Sequence, residues 1–132
     1  MPPESEIQQW LKLAQQDISA ARVLLASDPP LLESGGFHCQ QAVEKAVKGY
    51  LLWRGVPFPR VHTLGLLFDL AEQQDASFRT VRDECEWLTR FAVQDRYPHG
   101  RKISHNKAKE ALLAAETAVR LVRNRLPFEA QP

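Results

Sequence analysis

Residues 37–50 read Phe37-His38-Cys39-Gln40-Gln41-Ala42-Val43-Glu44-Lys45-Ala46-Val47-Lys48-Gly49-Tyr50, and their spacing decides the fold. Cys39, Ala42, Val43, Ala46, Val47 and Tyr50 recur at helical period, which predicts a helix with one face in a hydrophobic core. The other face is unusual. At about 100° per residue, His38, Gln41, Lys45 and Lys48 fall within a quarter-turn of one another. An imidazole, an amide and two ammonium groups on one stripe form a donor set suited to an anion such as a phosphate.

The same period extends to both sides. Ile7, Trp10, Leu11, Ala14, Ile18, Ala21, Leu24 and Leu25 predict a first helix over 5–26, with Ser5 and Gln8 spaced as a capping box. Asp28-Pro29-Pro30 ends it, because proline lacks the amide and clashes with the preceding turn. The second helix spans 34–53; Gly35-Gly36 leave its start loosely specified, and Arg54-Gly55 closes it with a residue able to take the left-handed cap. Thr63 is the expected cap of a short third helix ending near Gln74. A fourth, from about Ser77, presents Phe78, Val81, Cys85, Leu88, Phe91 and Ala92 and frays before Tyr97-Pro98. Residues 99–103 form a loop, and a fifth, alanine-rich helix covers 104–126. No stretch alternates apolar and polar residues over strand length. The fold class expected is therefore all-α: an up-and-down antiparallel bundle of four long helices plus one short helix. At 132 residues the chain is expected to form one domain, residues 1–132, with its core at about 5–126.

Composition narrows the function classes. An apolar content of 44% and a charged content of 25% are those of a soluble globular protein, and no apolar run approaches the roughly 18 residues of a membrane span. The N-terminus is polar and acidic, unlike a secretory signal, and the two cysteines form no Cys-x-x-Cys pair, so the cytoplasm is the expected compartment. The net charge of +1 hides an asymmetry: residues 90–109 carry six basic side chains and one acidic, whereas residues 1–89 carry eight and twelve. Such clustering can steer an anionic ligand. None of the four histidines, His38, His62, His99 and His105, pairs at the i, i+4 spacing of a helical metal site, so neither metal nor cofactor is expected. Both cysteines lie on apolar faces and read as core. Proline at 98 ends the fourth helix with Arg96 and Tyr97 beside the basic loop, where they can cap the helix and cover the core or supply a cation for phosphate and a ring for stacking.

Taken together, these segments resemble the HEPN domain, the higher-eukaryote and prokaryote nucleotide-binding domain. The run 37–48 is similar to its second-helix signature; Asp17 and Ala20-Ala21 match the first helix, Val61-His62-Thr63-Leu64 resembles the segment opening the third, and Arg96-Tyr97-Pro98 the close of the fourth. The likeness covers residues 7–125 and departs at Thr63, where the family usually has Asp. It implies a helical bundle, commonly a homodimer, often partnered with a minimal nucleotidyltransferase or acting in a toxin–antitoxin pair. Other members are metal-independent ribonucleases, with an Arg followed after four to six residues by a His. Here Arg90 to His99 has eight intervening residues, Arg96 to His99 two, Arg96 to His105 eight and Arg101 to His105 three. The expected function is thus a non-catalytic nucleotide- or nucleic-acid-binding subunit that uses His38, Gln41, Lys45, Lys48, Arg90, Arg96 and Tyr97. The alternatives are a ribonuclease of atypical spacing and a structural dimerisation module in which Glu44, Lys45 and Arg96 pair across an interface.

Overall fold

The computed structural model of the chain describes residues 4–93, 102–127 and 130–132. Its elements, in chain order, are α1 (Glu4–Ala26), α2 (Leu32–Trp53), α3 (Leu64–Gln74), α4 (Phe78–Cys85), a 3₁₀ turn (Glu86–Thr89), α5 (Arg90–Val93) and α6 (His105–Arg125). The fold is an all-α helical bundle, with no strand among the described residues.

α1 and α2 form an antiparallel hairpin. Asp17 faces His38 and Lys45, while Trp10 and Leu11 lie against Gly49, near the far end of α2. α6 runs alongside, antiparallel to α1: its His105 end borders Leu25 and Ala26, and its Arg123 end borders Gln15. The apolar stripe read from α2 is buried throughout, Cys39, Ala42, Val43, Ala46 and Val47 completely and Tyr50 almost so. It meets the alanine face of α6, where Ala108, Ala111, Ala115 and Ala118 are also buried. Alanines leave little between the two backbones, so the helices approach closely. Tyr50 packs its ring on Phe78, centroids 4.6 Å apart, and brings α4 onto the same core. Each large side chain so buried stabilises the fold by about 2–3 kcal/mol before cavity terms.

Three local readings change. Ser5 lies inside α1, since Glu4 is already helical, so it does not cap that helix. Gly35 and Gly36 are buried inside α2, and a Cβ on Gly36 would sit 2.6 Å from a carbon of the Phe91 ring. Glycine there admits the aromatic ring of α5 instead of loosening a helix start. The fourth helix is not continuous: the backbone tightens to 3₁₀ over 86–89. Two side chains account for this. The Trp87 indole donates to the Glu84 carbonyl at 2.8 Å, and the Thr89 hydroxyl accepts from the Leu64 amide at 3.1 Å. Thr89 thereby satisfies an amide at the start of α3, where Thr63 occupies the cap position without a side-chain cap bond. Leu88 and Phe91 stay buried across the break.

Other ends follow the sequence. Gly55 has φ of +71°, its amide bonds to the Leu52 carbonyl and that of Val56 to Leu51, the two bonds of a Schellman cap. The Ser104 hydroxyl accepts from the Lys107 amide and opens α6.

Candidate functional site

The polar face of α2 is organised by two carboxylates. Asp17 sits on the core-facing stripe of α1 with Ala14, Ile18 and Ala21, and only 6% of it is exposed. A carboxylate so placed needs partners, and α2 supplies both. His38 and Lys45 are two helical turns apart and point the same way. His38 Nδ1 lies 2.7 Å from Asp17 Oδ1, and Lys45 Nζ donates to Asp17 Oδ2 at 2.6 Å. An ionised carboxylate only accepts, so the hydrogen of this bond belongs to His38 Nδ1 and Nε2 is the outward atom.

Glu44 is the second centre, on α2 itself and 4% exposed. Lys48, one turn on, donates to Oε2 at 3.0 Å. His62 Nδ1, from the segment before α3, lies 2.9 Å from Oε1. The fully buried Gln40 donates from Nε2 to Glu44 Oε1 and to the His62 carbonyl, each at 3.0 Å, and its Oε1 accepts from Gln41 at 2.7 Å. The amide group of Gln40 is thus occupied at both ends. Burial alone would raise the Glu44 carboxyl; the bonds from Gln40, His62 and Lys48 outweigh it, and the group lies below its ordinary value. Lys48 is nearly buried as well, its ammonium 5.9 Å from the centre of the Phe58 ring.

The four donors read from the sequence therefore do not act as one set. His38 and Lys45 share Asp17, Gln41 bonds to Gln40, and Lys48 turns inward to Glu44. Lys45 and Lys48 each have a carboxylate within the chain, where the sequence had them free for a ligand. Glu44 likewise bonds within the chain, to Gln40, Lys48 and His62. Arg90 begins α5 with its guanidinium 5.4 Å from the Phe91 ring centre. Arg96 and Tyr97, like His99 and Arg101, lie outside the described residues. The site expected from the sequence omits Asp17, Gln40 and His62, and has Glu44 only in the dimerisation alternative. Two signals pointed to them: an aspartate on the apolar stripe of α1, and the i, i+4 pair Glu44–Lys48.

Both cysteines are core residues. Burial, with smaller contributions from Glu116 and Asp17, pushes the Cys39 thiol up to about 12, and burial also raises Cys85. Neither is a nucleophile near neutral pH. Among the described residues, no three His, Cys, Asp or Glu side chains are grouped to hold a metal ion, and no helix is long and apolar enough to cross a membrane.

The class is an all-α bundle in which one buried carboxylate, Asp17, ties α1 to α2 and a second, Glu44, ties α2 to the segment before α3. The HEPN domain model matches residues 7–125. The chain belongs to the HEPN domain family. Its fold is similar to the crystal structure of an archaeal HEPN homologue, with a TM-score of 0.69 and 24% identity over 90% of this chain and 96% of that one. The comparison with curated proteins gave no significant match.

Proposed function

We propose that the chain is a non-catalytic nucleotide- or nucleic-acid-binding HEPN subunit that reads its ligand with the polar face of α2. The observation that carries this reading is the pair of carboxylate-oriented histidines. Asp17 and Glu44 engage Nδ1 of His38 and His62, which leaves Nε2 as the ring nitrogen for an external partner, and the two side chains are 32% and 63% exposed. Oriented imidazole edges, with Gln41 on the same helix as His38, suit hydrogen bonding to a base or ribose. With Lys45 and Lys48 already matched, bulk charge is not what this face offers. Arg90, Arg96 and Tyr97 complete the proposed site with cations and a stacking ring. Members of the family commonly pair as homodimers and with a minimal nucleotidyltransferase, some as toxin–antitoxin components, and the same assembly is proposed here.

The test is calorimetric titration with adenine and guanine nucleotides. His62→Ala leaves Glu44 with Gln40 and Lys48, so the fold is retained; affinity should fall about tenfold, the value of one lost hydrogen bond to a charged or oriented group. Wild-type protein that binds no nucleotide, or a variant of unchanged affinity, contradicts the reading.

A second reading has its own observation, the complete matching of Lys45 and Lys48 within the chain. In it the face is a structural fastening and the subunit a dimerisation module; the histidine variant then alters sedimentation or stability and no ligand affinity. The ribonuclease alternative rests on His99 or His105 with arginines at other than the family's spacing. Cleavage of RNA by wild type, lost on replacing both histidines, would establish it.

A further inference from the structure

On the other side of α1 lies a groove in which the charge balance is reversed. α6 turns one stripe towards it, residues 105, 109, 112, 116, 120 and 123, which recur at helical spacing. Arg120 and Arg123 line a depression of about 190 Å³ with Arg22 of α1, over a floor of the buried Ile18 and Val119. Glu116 is the carboxylate of that depression, and Arg22 takes it at 2.6 Å. Arg120 and Arg123 are exposed and have no ion-pair partner among the described residues. Past Arg22 the groove opens into a wider hollow, bordered by Lys109 and by Asp28. Along the seam, four cations thus face two carboxylates, one of them already paired.

We infer that this α1–α6 groove is a track for the phosphodiester backbone of a single-stranded nucleic acid. From Lys109 to Arg123 the helix advances about 21 Å at 1.5 Å per residue, with Arg22 entering between them. That puts Lys109 at one end of a seam between two helices and Arg120 with Arg123 at the other, with the Arg22–Glu116 pair between them, a reach of several phosphates. A duplex would present phosphates on two strands across a groove about 12 Å wide, which a single seam does not match. The depression is lined by no aromatic ring, so there is no stacking platform for bases. Binding here is therefore electrostatic, tolerant of sequence and steeply dependent on salt. The inference does not require the α2 face to bind anything.

The experiment is fluorescence anisotropy with a labelled oligouridine across a salt series. It compares wild type, Arg120→Gln/Arg123→Gln, and a control pair of equal charge change, Arg54→Gln/Arg79→Gln, both exposed and remote from the groove in sequence. The groove pair should lose about tenfold or more in affinity and lower the salt slope by about 1.4, two contacts at 0.7 each. The control pair should lose less than about threefold, the non-local share of a net-charge change. Thermal melts confirm that both pairs fold. Absence of oligonucleotide binding by wild type, equal losses in the two pairs, or equal affinity for polyglutamate would each overturn the inference. Because His62 is intact in every variant, failure here is separable from failure of the α2 reading.

Discussion

The polar face of α2 and the groove between α1 and α6 both carry rows of cations at helical spacing, yet they are opposites in charge balance. On α2, Lys45 and Lys48 each sit within 3.0 Å of a buried carboxylate. In the groove, Arg120 and Arg123 have no such partner among the described residues. What distinguishes the regions is the burial of the counter-ion, not the number of cations. A buried acid must be matched from within and so consumes the cations around it, whereas exposed arginines without an acid keep their charge for something external.

The largest effect should follow from removing the more deeply enclosed acid. Glu44→Gln leaves the Lys48 ammonium, with a side chain only 9% exposed, without its charge partner. A loss of about 3–5 kcal/mol in chemical denaturation is expected, as for other broken buried pairs. Asp17→Asn should cost less, about 2 kcal/mol, because His38 and Lys45 are more exposed and regain water. If the two losses were reversed, the ranking of the clusters by enclosure would be wrong.

Acid should act in the same sense, more gently. The Glu44 carboxyl lies below 4.5, and hydrogen bonds from the Ser77 side chain and backbone, with Arg125, bring Asp75 from 3.8 to about 2. Groups whose acidity is strengthened by folding stabilise the folded state when ionised, so that stability is present above the ordinary carboxylate range and is lost as pH falls from about 4.5 towards 2. Denaturation midpoints measured across this window should fall in wild type, and the fall should be shallower in Glu44→Gln. Smallest of all is Arg22→Ala. Its pair with Glu116 is exposed, and less than about 1 kcal/mol should be lost.

The bundle was legible because hydrophobic period survives local irregularity. The stripe of α2, the alanine face of α6 and the glycine cap at Gly55 all follow from residue spacing and the conformational freedom of glycine. The break at 86–89 was not legible, since it depends on Trp87 and Thr89 finding acceptors and donors that only the folded chain supplies. Gly36 misled for the same reason: a close approach by Phe91, distant in sequence, looks like flexibility when read locally. At the site, the sequence placed His38, Gln41, Lys45 and Lys48 on one helical face correctly. It could not show that Asp17, from another helix, would engage two of them, or that Lys48 would turn to Glu44. The reading also gave weight to the basic stretch 90–109, and passed over Arg120 and Arg123 because their segment is neutral in total. Charge sums along a chain do not reveal which charges meet.

The most direct test of this contrast is urea denaturation of two double variants that remove the same charge, Lys45→Ala/Lys48→Ala and Arg120→Ala/Arg123→Ala. The account predicts a loss of about 4 kcal/mol or more for the first pair, whose removal takes the ammonium partner from each of two buried carboxylates and leaves them the bonds of His38, Gln40 and His62, and a change within about 1 kcal/mol for the second. Equal losses in the two pairs would contradict it.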